Sequence, residues 1–324
     1  MARAATWAFP ETLQPDPDEA SFDLAAALDA VVLLRAEIPG DAFTASLLGT
    51  ERTGNGIVIR DDGLVLTIGY LITEAETIWL TTNRGGVVQG HALAYDQATG
   101  FGLVVPLGRL GVRPLPLGRS TEAPVGGPVI VAGQGGRGHS LKAKLIARRE
   151  FAGYWEYVLD EALFTAPAHP QWGGAALLGP DGKLLGVGSL LVQEEAGGRS
   201  VDGNMFVPID LLAPVLEPML ATGRAARAPR AWLGIYATEM DGRLVIGGLA
   251  PSGPAASAGV ELGDLVLAVA GDPVTGLAAL FRRIWSLGPA GTEIELTLSR
   301  RGAQSRVRVR SAAREDFLRK PRMH

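Results

Sequence analysis

In the stretch GNGIVIRDDGLVLTIGYLI, residues 54–72, two apolar runs flank Asp61-Asp62-Gly63. An apolar run, an Asp-Gly turn and a second apolar run form a strong local signal for a β-hairpin. TIWLTTNRGGVVQGHALAYD, residues 77–96, repeats the pattern around Gly85-Gly86. Before these runs comes AVVLLRAEI (30–38). After them follow FGLVVPL (101–107), PVIVAGQ (128–134), KAKLIARRE (142–150) and WEYVLDE (155–161). Many short strands separated by turns predict an antiparallel barrel or sandwich. The 43 glycines and 21 prolines favour tight turns over long helices.

The period changes at PIDLLAPVLEPMLATG, residues 208–223, where helical spacing and a terminal Gly predict a helix that closes a domain. RAARAPRA, 224–231, is short, basic and Pro-containing, and reads as a linker. The rest is strand-rich, with helical pieces at PAASAG and LAALFRRIWSLG. In the second piece Leu277, Leu280, Ile284 and Leu287 share a face. RVRVR, residues 306–310, reads as a half-exposed strand, with a basic docking surface as the alternative. The expected organisation is an arm at 1–22, a first domain at 23–220, a linker at 221–231, a second domain at 232–312 and a tail at 313–324.

Composition narrows the chemistry. Cysteine is absent, which removes disulfides, thiolate catalysis and Cys-based zinc sites. A net charge of -4 gives no strong attraction to nucleic acid. No run approaches the ~18 apolar residues of a membrane span. The N-terminus lacks the apolar core of a signal peptide, so a cytoplasmic protein is expected as the sequence stands, or a periplasmic one if the true start lies elsewhere.

Four segments, in order, resemble the HtrA branch of trypsin-like serine proteases: TGNGIVIRDDGLVLTIGYLI, YDQATGFGLVVPL, HPQWGGAALLGPDGKLLGV and NMFVPIDLLAPVL. The segment WLGI, with GGLAPSGPAASAGVELGDLVLAVAGDPV, resembles a bacterial PDZ domain. The resemblance implies a mainly β chain, a trypsin-like double β-barrel followed by an α+β PDZ domain.

Laid on this sequence, the catalytic histidine position falls on Tyr70, the aspartate on Gly100 and the serine on Gly173. Asp96 matches only the family's earlier aspartate. The mechanism needs serine as nucleophile, histidine as base and aspartate to orient the imidazole. With all three vacated, the expectation is a pseudoprotease. The alternative is an active serine endopeptidase with a non-standard or misassigned triad, for which Ser140 beside His139 is the one neighbouring pair in sequence. Gln171 and Gly173 stand at the oxyanion-hole positions and retain N–H donors. Trp172 either fills the cleft or leaves it open. His169 reads as a hydrogen-bonded loop residue, with a metal role alongside His139 as the weaker alternative. No metal or cofactor is expected.

The resemblance also implies that the second domain binds the C-termini of peptides or proteins. Leu233, Gly234, Ile235 and Ala237 would form the entry strand, and Leu280 and Ile284 a side-chain pocket. A further alternative is a groove closed by its own chain. A homo-oligomer, a trimer by family resemblance, would place Trp7-Ala8-Phe9 at a contact.

Overall fold

In the computed structural model, residues 7–196 and 198–319 are described. Residues 1–6 of the arm and 320–324 of the tail, with His324, lie outside them. The chain divides into two compact units. Among the described residues the first comprises 7–149, 161–196 and 198–226, and the second 150–160 and 227–319.

The first unit holds two closed six-stranded barrels. Strands β1 (Val31–Glu37), β2 (Glu51–Val58), β3 (Val65–Ile68), β4 (Thr77–Thr81), β5 (Val87–Tyr95) and β6 (Phe101–Pro106) close in the order β1-β2-β3-β6-β5-β4. Strands β7 (Pro128–Ala132), β8 (Ser140–Gly153), β9 (Tyr157–Ala166), β10 (Ala176–Leu178), β11 (Leu184–Ala196) and β12 (Arg199–Pro208) close as β10-β11-β12-β9-β8-β7. The turns fall where the glycines foretold. Gly63 and Gly85 adopt φ of +87° and +82°, a region open to glycine at little cost. The helix Ala213–Thr222 follows and ends on left-handed Gly223, whose N–H bonds the Met219 carbonyl.

The second unit is a sheet of β13 (Ile235–Met240), β14 (Arg243–Leu249), β15 (Leu265–Val269), β17 (Glu293–Arg300) and β18 (Ala303–Arg310). The short β16 (Asp272–Pro273) pairs β15. Helices Pro254–Ser257 and Leu277–Ser286 accompany it. RVRVR lies in β18, where Val309 is buried and Arg306, Arg308 and Arg310 are exposed. The core gathers Leu233, Ile235, Ala237, Leu280, Phe281 and Ile284 with Val158, which comes from the hairpin tip 150–160. A linear division of the chain places that tip in the first domain, yet its apolar side chains complete the second core. Among the described residues no helix is long and apolar enough to cross a membrane.

Phe281 is fully buried in this cluster. Phe281→Ala is expected to cost the second unit about 3–5 kcal/mol in denaturant unfolding. A loss under about 1 kcal/mol would contradict the core assignment.

Candidate functional site

Tyr70 leaves β3 on a tight turn, Gly69–Leu71. A Cβ at Gly69 would lie 2.0 Å from the Tyr95 ring, so the turn packs only with glycine there. The Tyr70 hydroxyl donates to the Ser189 carbonyl at 2.9 Å. A Cβ built on Gly173 would stand 2.9 Å from that same hydroxyl oxygen. Burial pushes Tyr70 well above the usual phenol range, offset in part by a hydrogen bond with the Trp172 side chain. It therefore stays protonated and serves as a donor, not a base. Gly100, at φ +86°, accepts a bond from the Gly69 N–H at 2.7 Å and donates to the Asp96 carbonyl at 2.7 Å. The Asp96 carboxylate is turned into its own loop, where it accepts from the Thr99 N–H and hydroxyl.

The turn after β9 is fixed by His169, which is fully buried. Its N–H donates to Asn204 Oδ1 at 2.6 Å, and Asn204 Nδ2 donates back to the His169 carbonyl at 3.2 Å. Its Nε2 faces the His139 carbonyl at 2.9 Å, and its Nδ1 accepts from the Gln171 N–H at 3.0 Å. One nitrogen meets an acceptor and the other a donor, which only the neutral imidazole can satisfy. Burial lowers its pKa accordingly. Trp7 packs edge-on against His139 at 4.7 Å between centroids, and Phe9 against His169 at 5.1 Å. The expected oxyanion donor at Gln171 thus requires correction, because its N–H is spent on His169. Both ring nitrogens of His169 are likewise occupied. Among the described residues no cluster of three or more His, Cys, Asp or Glu could hold a metal.

Asn55 ties this turn to the first barrel. Its N–H donates to the Gly173 carbonyl at 2.8 Å, and its Nδ2 to the carbonyls of Gln171 at 2.9 Å and Gly173 at 3.1 Å. Its Oδ1 accepts from the Gln134 N–H at 2.8 Å. A Cβ at Gly174 would lie 1.9 Å from the Asn55 carbonyl oxygen, so the backbones meet without room for a side chain. The Ser140 hydroxyl donates to the Gly136 carbonyl at 2.9 Å, and His139 Nδ1 faces the Gly135 carbonyl at 3.2 Å. Each side chain of that pair is engaged with its own loop.

In the second unit, Ile235 and Ala237 lie in the edge strand β13, directly after Leu233 and Gly234, and Leu280 and Ile284 are fully buried in the core cluster that holds Leu233, Ile235 and Ala237. That edge is occupied. The Glu156 carboxylate accepts from the N–H groups of Leu233 at 3.1 Å, Gly234 at 2.7 Å and Ile235 at 3.1 Å. The Ala237 N–H donates to the Tyr154 carbonyl at 3.3 Å. Burial pushes Glu156 up to about 7, against the bonds from the three N–H groups and the charge of Arg314.

The family model for the trypsin-like peptidase domain matches residues 54–187, and that for the PDZ domain matches 231–310. A protein of Halomonas elongata named "Probable periplasmic serine endoprotease DegP-like" is 26% identical over 79% of this chain and 55% of its own length. "Serine endoprotease DegS" of Haemophilus influenzae is 24% identical over 68% of this chain and 65% of its own length. The solved structure "HtrA-type protease AlgW with decapeptide" shares the fold at a TM-score of 0.51 and 18% identity, covering 93% of this chain and all of that one. A trypsin-like peptidase domain followed by a PDZ domain, together with these relatives, makes the chain similar to proteins of the HtrA type. The chain spans little more than half the length of the Halomonas relative.

Within this HtrA fold, sequence reasoning named Tyr70 and Gly173, and the structure brings them together. It missed Asn55 and Glu156. The faint signal for Asn55 was a lone amide between two glycines in an apolar strand. Asn55→Ala would strand two backbone partners, the Gln171 carbonyl and the Gln134 N–H, while the Gly173 carbonyl keeps its bond from the residue-55 N–H, and a loss of about 3 kcal/mol is expected in denaturant unfolding. The two buried titratable groups give opposite pH slopes. His169, lowered from 6.5, contributes stability that is present above pH 6.5 and lost as pH falls below it. Glu156, raised from 4.5 to about 7, contributes stability that is fullest below pH 4.5 and lost as pH rises through 7. Thermal unfolding across pH 4–8 should show His169→Gln removing the first slope and Glu156→Gln the second. Unchanged slopes would contradict these assignments.

Proposed function

We propose that the chain is a catalytically inactive HtrA-like pseudoprotease that binds peptides or partner proteins through its PDZ domain, as a scaffold, regulator or chaperone-like binder. The observation that carries this reading is the pairing of Tyr70 with Gly173. The nucleophile position has no side chain, and a phenol hydroxyl stands 2.9 Å from where its Cβ would be. The base position holds that same tyrosine, and the orienting position is Gly100. Loss of one triad member costs a factor of about 10⁴ in kcat, and here three are lost together. The engaged Gln171 N–H supports the same conclusion, because oxyanion stabilisation needs a donor aimed at the substrate.

The relatives are named serine endoproteases, so the alternative is a serine-type endopeptidase with a displaced nucleophile. That reading needs a hydroxyl within about 3 Å of a base, and Ser140 is bonded to its own loop. Names of the relatives also favour the periplasm as the compartment, over the cytoplasm expected from the N-terminus. A homotrimer remains part of the proposal, although Trp7 and Phe9 pack here on the chain's own histidines.

Fluorophosphonate labelling, run beside casein cleavage with an active HtrA control, tests the reading. Neither labelling nor cleavage is expected. Stoichiometric labelling of any serine would overturn the triad assignment and favour the endopeptidase.

A further inference from the structure

The second unit holds a buried carboxylate in the place where a bound peptide's own carboxylate is expected. Glu156 is 3% exposed, and its oxygens take the N–H groups of three consecutive residues, Leu233, Gly234 and Ile235. Two residues earlier, the Tyr154 carbonyl takes the Ala237 N–H, two residues further along the edge. This spacing is that of an added antiparallel strand whose end lies at the Leu233–Ile235 loop. Val158 from the same tip packs into the cluster that contains Leu280 and Ile284. Tyr154 meets Tyr236 edge-on at 6.1 Å. Carboxylate, backbone and apolar side chain are therefore each supplied by one internal segment.

We propose that the tip Tyr154–Val158 is a built-in ligand of the peptide groove, and that the groove opens to a peptide whose free C-terminal carboxylate displaces Glu156. This deepens the peptide-binding reading above and rests on it. The features replaced describe the ligand: a free C-terminal carboxylate in the place of Glu156, an apolar side chain of about valine size beside it, and an aromatic residue two positions before the one in the place of Glu156.

The tip is held in a manner suited to release. Glu156 adopts φ +60°, a left-handed conformation that is strained for a residue with a side chain. Outside the loop the tip is clamped by Arg282, which pairs with Glu150 and Asp160. Both pairs are largely exposed, and exposed ion pairs hold weakly. An internal occupant lowers apparent ligand affinity by the fraction of molecules that stay closed, so a groove nine-tenths closed binds ten times more weakly than an open one.

The test uses the full chain and a library of fluorescein-labelled pentapeptides with free C-terminal carboxylates, beside the same library amidated at the C-terminus. Binding is read by anisotropy for the wild type, Glu156→Gln and Arg282→Ala. Glu156→Gln weakens the internal carboxylate, and Arg282→Ala loosens the clamp without touching the loop, so the second variant decides if the first fails to fold. The expected result is binding at least about tenfold tighter in the variants than in the wild type, with the amidated library at least about tenfold weaker throughout. Equal affinity in wild type and variants would overturn the built-in ligand while leaving peptide binding intact. No binding by any form would overturn the peptide-binding reading, and this proposal with it.

Discussion

Buried backbone N–H groups must find acceptors, and that requirement shapes both regions where this chain would meet a ligand. In the first unit the Gln171 N–H is taken by the Nδ1 of His169. In the second, the N–H groups of Leu233, Gly234 and Ile235 are taken by the carboxylate of Glu156. In both cases the acceptor is a buried side chain of the chain itself, at the positions proposed above to face a ligand. The partners of His169 fit only its neutral form, whereas burial raises the pKa of Glu156 against the bonds from its three N–H groups.

Around Tyr70 and Gly173 the two barrels meet in close contact. Tyr70 fills the space above Gly173 and donates to Ser189, and Asn55 holds the carbonyls of Gln171 and Gly173. Gly174 brings two backbones within a distance that excludes any Cβ. A lone serine at position 173 would meet the Tyr70 hydroxyl instead of an imidazole. On the pseudoprotease reading proposed above, building a triad at these positions requires coordinated change across both barrels.

Much of the fold was legible because local signals agreed with the global pattern. Gly63 and Gly85 marked hairpin turns, Gly223 marked a helix end, and the segment order carried the architecture. Residue identity alone singled out Tyr70, Gly100 and Gly173, and the structure places the Tyr70 hydroxyl against Gly173. The site was opaque where burial was decided far along the chain. Glu156 lies in WEYVLDE, where a charge reads as the exposed side of a strand, yet its partners are 77 to 79 residues away. Asn55 bonds residues 79 to 118 positions distant. Likewise, no local feature of Trp7 and Phe9 indicated that they would pack on His139 and His169.

Native-state amide hydrogen exchange of the full chain without added peptide reads both internal satisfactions at once. The account predicts slow exchange at Gln171 and at Leu233, Gly234 and Ile235, with protection well above that of exposed loop amides. Exchange at either place near the rate of an unstructured chain would contradict a molecule whose ligand-facing N–H groups are satisfied from within.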